Sequence, residues 1–296
     1  MTALRTAEGH TTARGRRSNL LTAAMLLFLL YALFPLFWLA VSSTKTNSDL
    51  FSTFGLWFGH EFTLLGNIRQ TLTYGNGEYL RWLANTALYS VTSALGAACL
   101  ATFSGYGFAK YVFRGRGALL GAVLGTIMVP TTALAIPTYL LFSKVGLVDT
   151  PWAVILPSLV SPFGFFLMWV YTRDAVHDSL LDAARIDGAG ELAIFFRVAL
   201  PSLMPGFVTV VLFTLVATWN NYFLPLIMLN NPQLYPVTVG LSSWAAQAQN
   251  GGAGASSGML PLVVTGSLLS IIPLVIAFLF LQRYWQSGLA TGAVKQ

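Results

Sequence analysis

Six stretches of this 296-residue chain stay apolar for roughly the thickness of a lipid bilayer, and that single fact leaves few folds open. They lie at 20–41, 83–109, 118–142, 151–171, 204–228 and 260–281. A hydrocarbon core of ~30 Å takes about 20 residues of helix, and within it every backbone amide and carbonyl must find a partner on the chain, as a helix allows. Only 9% of the residues are charged and 55% are hydrophobic, against about 25% charged in a soluble domain. The expected fold class is an all-α integral membrane protein with six transmembrane helices. The first run follows Arg5, Arg14, Arg16 and Arg17. Its apolar core of about 22 residues exceeds the 7–15 of a secretory signal, so it reads as a retained span with Trp38 near its far interface. The chain then divides into a tail at 1–19, a first helix and external loop at 20–82, a core at 83–282 carrying a polar loop at 172–203, and a second tail at 283–296.

Several spans carry breaks in their pattern. Pro130 and Pro137 should kink or unwind the third, which is tolerated only where neighbouring helices or a wet cavity satisfy the freed backbone groups. Gly105, Gly107, Gly121 and Gly125 are small-residue positions that let helices approach closely.

Orientation follows from Lys and Arg. With the N-terminus inside, the first tail, Lys110, Arg114 and Arg116, then Arg173, Arg185 and Arg197, and finally Arg283 and Lys295 all face the cytoplasm, while Lys45, Arg69, Arg81 and Lys144 fall outside. The positive-inside rule thus gives both termini to the cytoplasm of a multi-pass protein in a cytoplasmic membrane. The outer residues 43–82 are long enough for a small cap, and the uncharged 229–259 include a low-complexity loop from Asn250 to Gly258.

The polar loop is the most informative stretch. Ser179 can cap a helix with Asp182 three residues on, Ala183 and Ala184 favour helix with little bulk, and Gly188 offers the left-handed position at which it ends. Leu192, Phe195, Phe196 and Ala199 follow at i, i+3, i+4, i+7, predicting a second helix with one apolar face, before Pro201 and Pro205 punctuate the entry to the fifth span.

This register resembles the EAA loop of ABC-transporter permeases. There Glu-Ala-Ala is followed by Gly and then by Ile-x-Leu-Pro; here Asp182, Ala183 and Ala184 are followed by Gly188 and by Val198, Ala199, Leu200 and Pro201. Asp182 keeps the charge but shortens the side chain. The segments Ser104 to Lys110, Trp219 to Leu226 and Gln282 to Lys295 are similar to the maltose-type, carbohydrate-uptake branch. The resemblance implies a type-I ABC importer permease fold with a cytoplasmic coupling helix, and Asp182, Ala183, Ala184, Asp187, Gly188 and Pro201 as the ATPase-coupling loop. It also implies the partners: a second homologous permease forming a heterodimer, two ATPase subunits that hydrolyse ATP with Mg, and an extracytoplasmic sugar-binding protein.

Other classes fit less well. The residues show no aromatic and basic interleaving suited to nucleic acid, and no Gly-x-x-x-x-Gly-Lys-Ser/Thr loop for ATP. His10, His60 and His177 are scattered and Cys99 is alone, so neither a catalytic residue nor a metal or cofactor site is expected on this chain. An ion-coupled secondary carrier usually places ionisable groups mid-membrane, and no Asp, Glu or His lies in the centre of a predicted span. That carrier, and an ABC importer permease for a non-sugar solute, are the alternatives. Trp219, Asn220, Asn221 and Tyr222 are the candidates for the translocation path, since amides and aromatics suit a neutral hydroxyl-rich solute; helix packing is the competing role. Asn85 and Thr86 carry the same ambiguity, with packing favoured.

Overall fold

The computed structural model describes residues 19–250 and 258–292, and the first tail with its arginines, the glycine-rich 251–257 and Lys295 lie outside that description. In chain order the α-helices are α1 (Asn19–Ser42), α2 (Asn47–Ser52), α3 (Leu64–Thr73), α4 (Glu78–Lys110), α5 (Arg116–Thr126), α6 (Ala135–Lys144), α7 (Trp152–Leu159), α8 (Pro162–Ala175), α9 (Asp178–Ile186), α10 (Glu191–Ile194), α11 (Leu200–Trp219), α12 (Phe223–Met228), α13 (Val237–Asn250) and α14 (Met259–Gly292). The 33-residue α4 packs chiefly against α8 and α11.

Three spans are jointed. The third consists of α5 and the Thr131–Lys144 segment, bent by 96° at Pro130. Pro130 supplies no N–H and disfavours helix at Val129, whereas Pro137 falls in the first turn of α6, where a missing N–H costs nothing. The expectation that both prolines break the helix thus holds for Pro130 only. In the fourth span the chain parts between α7 and α8, where the Ser161 hydroxyl accepts from the Gly164 N–H at 3.1 Å and Pro162 takes the first helical position.

The fifth span was expected at 204–228, and the structure moves it. Helical backbone runs unbroken from Glu191 to Trp219 and stops there, with the short α12 set apart beyond Asn220 to Tyr222. Pro201 does not interrupt it. A π-helical turn at Phe195–Ala199, closed by the Leu200 N–H on the Phe195 carbonyl, widens the ladder just before the position whose ring would otherwise press on the Arg197 carbonyl. The sixth helix continues to Gly292, past the expected end at 281.

Hydrogen bonds fix which ends lie together. At one end the Asp149 carboxylate accepts from the Asn230 and Asn231 N–H groups, both at 2.8 Å, while Trp82 Nε1 donates to the Pro232 carbonyl at 3.0 Å and Asn85 Nδ2 to the Gln233 carbonyl at 2.8 Å. At the other end of α4, Lys110 meets Asp178 at 2.7 Å and Tyr111 meets Glu191 at 2.6 Å. The bent α5–α6 segment starts six residues after Lys110 and finishes beside Asp149, so it crosses the bundle rather than turning back. With it the chain makes six crossings, and α9 lies at the end opposite to Trp82.

The Trp82 end carries the cap expected for 43–82, and it is built inside out. Lys45, only 1% exposed, donates to Thr53 Oγ1 and the Phe54 carbonyl, each at 2.9 Å, and the buried Asn67 amide donates to the Ser43 and Lys45 carbonyls. Phe51, Phe54, Trp57, Phe62 and Leu65 point outward. Against this cap lies α13, an element the uncharged sequence did not suggest. Its Trp244 is buried among Tyr79, Trp82 and Leu262, and Gly240 lies so close to the Trp82 ring that a Cβ there would collide with it.

Candidate functional site

The α9 loop is held at both ends. Ser179 is not its cap: the helix begins one residue earlier, at Asp178, with His177 in the capping position and no side-chain capping bond. The Asp178 carboxylate turns instead to the Lys110 ammonium, at 2.7 Å, and Lys110 also donates to the Val176 carbonyl. That hydrogen bond and the cation's charge hold the Asp178 carboxyl below its usual range.

The other end closes as a Schellman motif. The Gly188 N–H donates to the Arg185 carbonyl and the Ala189 N–H to the Ala184 carbonyl, both at 3.0 Å. Gly188 sits at φ +78°, the left-handed region expected of it, and Asp187 is the last residue before the turn. Beyond it Arg185 bonds Asp182 at 2.9 Å and Glu191 at 2.8 Å, and Glu191 also accepts from the Tyr111 hydroxyl.

Leu181 is the buried foot of the helix, set among Tyr106, Val176, Ile194 and Phe195 in the main core. Asp182, Ala183, Ile186 and Leu180 are exposed on the opposite side, and Ala184 is half-buried. Of the apolar face expected of Leu192, Phe195, Phe196 and Ala199, Phe195 and Ala199 turn into the bundle, while Leu192 is 73% and Phe196 52% exposed. Pro201 is exposed in the first turn of α11, beside the loop.

The four path candidates gather at the joint between α11 and α12, near the Trp82 end rather than mid-span. Trp219 is buried, with Nε1 donating to the Ser270 carbonyl at 3.2 Å, and Asn221 Oδ1 accepts from the Leu224 N–H at 3.4 Å while its carbonyl accepts from Thr238 at 2.8 Å. These two hold α12, α13 and α14 in place. Asn220 and Tyr222 are exposed; the Asn220 amide donates back to Val216 at 2.9 Å and the Tyr222 hydroxyl lies 3.0 Å from Ser242 Oγ. Asn85 and Thr86 pack, donating to or accepting from backbone groups of 233–237. Among the described residues no group of three or more His, Cys, Asp or Glu comes together.

Sequence reading missed Lys110, Tyr111, Asp178 and Glu191 as parts of this site. Their pairing is tertiary, and the one local signal was a Lys closing a long apolar run.

A six-crossing bundle that carries at one end an amphipathic helix, anchored at both termini and by a buried leucine, with its outer side free, defines the membrane component of a transporter assembled from several subunits. The chain belongs to the family described as binding-protein-dependent transport system inner membrane component, which matches residues 97–289. It is 34% identical over 272 residues to the arabinooligosaccharides transport system permease protein AraQ of Bacillus subtilis, covering 92% of this chain and 93% of that one. It is 29% identical over 290 residues to the lactose transport system permease protein LacG of Rhizobium radiobacter, covering 96% and 99%. Its fold is that of a chain in the crystal structure of a bacterial ABC transporter involved in the import of the acidic polysaccharide alginate, with TM-score 0.76, 23% identity, and coverage of 90% and 95%.

Proposed function

We propose that this permease carries a di- or oligosaccharide inward across a bacterial cytoplasmic membrane. In this reading it forms half of the translocation path with a second, homologous permease, receives its solute from an extracytoplasmic sugar-binding protein, and is driven by two separate subunits that hydrolyse ATP with Mg. Both termini and α9 face the cytoplasm, in keeping with Lys110, Arg114, Arg116, Arg173, Arg185 and Arg197 at the α9 end against Lys45, Arg69, Arg81 and Lys144 at the other.

The observation that carries the reading is α9 itself, a short helix fixed to the bundle by Lys110, Leu181 and the Schellman turn while its other side stays free. Such a helix moves as a rigid body with whatever grips it. Closure of the ATPases then carries it along, and the bundle reorients against its sister permease. The names of AraQ and LacG, which match nearly the full length, support a sugar as the solute.

Uptake of a labelled oligosaccharide into proteoliposomes holding the full complex tests this. It is expected to need ATP on the α9 side together with the binding protein, and to persist when a protonophore collapses the proton gradient. Uptake by the permeases alone, driven by an ion gradient, would refute it.

A further inference from the structure

Two consecutive residues at the end of α4 grip both ends of α9. Lys110 holds the front: its ammonium bonds the Val176 carbonyl and the Asp178 carboxylate, and its side chain is only 7% exposed although that of Asp178 is 80% exposed. Tyr111 holds the rear, donating at 2.6 Å to Glu191, the carboxylate that also anchors Arg185.

The chain between α8 and α9 explains why a grip is needed there. Val176 (φ −111°, ψ 106°) and His177 (φ −77°, ψ 138°) are both extended, so the helical ladder of α8 ends with the Val176 N–H on the Thr172 carbonyl and α9 follows through a two-residue joint. Two extended residues allow α9 to swing about α8. Lys110 bridges that joint, with one bond on the joint's own carbonyl and one on the first residue beyond it. The rear of α9 reaches the continuous helical backbone of Glu191–Trp219 through the non-helical Gly188 to Gly190.

We propose that Lys110 is a positioning residue for energy coupling, which with Tyr111 ties the motion of α9 directly to α4, in addition to its covalent connections to α8 and α11. It acts on α9 through Asp178 and Val176 and touches neither solute nor nucleotide. The consequence is mechanical. The unbroken α4 runs about 40 Å at 1.5 Å per residue from this grip to Trp82 and Asn85, which bind the 232–235 segment at the far end, so a displacement of α9 reaches that end along one rigid rod. This inference rests on the assignment of α9 as the coupling helix, and the test keeps the two apart.

The experiment uses the complete complex in nanodiscs, with Lys110→Met, Lys110→Arg and Asp178→Asn. It reads ATPase co-purification, hydrolysis stimulated by loaded binding protein, and, in proteoliposomes, solute imported per ATP consumed. Lys110→Met is expected to keep its ATPases and its basal hydrolysis while stimulated hydrolysis and solute per ATP fall by at least about 5-fold, the low end of ordinary coupling. Lys110→Arg, which keeps the charge and the donors, restores most of that loss, and Asp178→Asn, which leaves the Val176 bond, falls between. Wild-type values for Lys110→Met overturn the proposal. So does loss of the ATPases from Lys110→Met, or poor membrane yield shared by Lys110→Met and Asp178→Asn, because either result makes the residue a mere brace. A wild-type complex that couples no ATPase would instead refute the function proposed above.

Discussion

Gly188 is the residue whose side chain matters most by being absent. A Cβ built there meets nothing within 4 Å, so the site has room, and the constraint is φ +78° alone. Gly188→Ala is therefore expected to cost about 1 kcal/mol of local stability and β-branched Gly188→Val more. Gly188→Asn, although larger than alanine, should be the mildest of the three because Asn tolerates the left-handed region. The ranking Asn above Ala above Val, read from binding-protein-stimulated hydrolysis, checks this; a ranking by side-chain volume would point to a steric limit instead. Gly188 was legible in the sequence because a helix end with a left-handed turn is a local event. Ser179 was misread for the converse reason. The helix start is decided by Lys110, which lies far off in the chain and gives Asp178 its partner.

At the level of the element, α9 is attached by one buried side chain as well as by its ends. Leu181 sits in the core with Tyr106 and Phe195, and Leu181→Ala should cost about 2–5 kcal/mol, the range for a buried leucine. The loss falls on the loop rather than on the bundle, so amide exchange is expected to accelerate in Asp178–Ile186 while α4 and α11 keep their protection. Uniform loss of protection throughout would show that Leu181 supports the whole fold. Elements differ in how far the sequence announces them. The apolar runs gave the spans, but the joint between α5 and α6 depends on which proline falls in a first turn and which does not. Pro201 reads as a break and is absorbed by a π turn. No charge pattern marks α13, whose helix is chosen by the packing of Trp244 against Trp82.

For the whole molecule, the testable quantity is the number of crossings. In a Cys99→Ser background, single cysteines at Ser52 and Ser143 should react with an impermeant thiol reagent added outside cells, and one at Ser179 should not. Labelling at Ser52 with protection at Ser143 would mean that the bent α5–α6 segment turns back instead of crossing. Labelling at Ser179 would invert the orientation. Composition already made six spans the natural reading, whereas the evidence that the bent one crosses had to come from Asp149 bonding Asn230 and Asn231. The division of α9 into a fixed side and a free side has a further consequence, for how such proteins diversify. Leu181, Gly188 and the Lys110 pairing answer to this chain's own interior, and Asp182 to Arg185, while Leu180, Ala183 and Ile186 are exposed and, on the function proposed above, answer to another molecule. These outer three can drift together with a changing partner at little cost to folding. Transplanting them between related permeases would exchange the motor each one accepts and leave the cargo as it was.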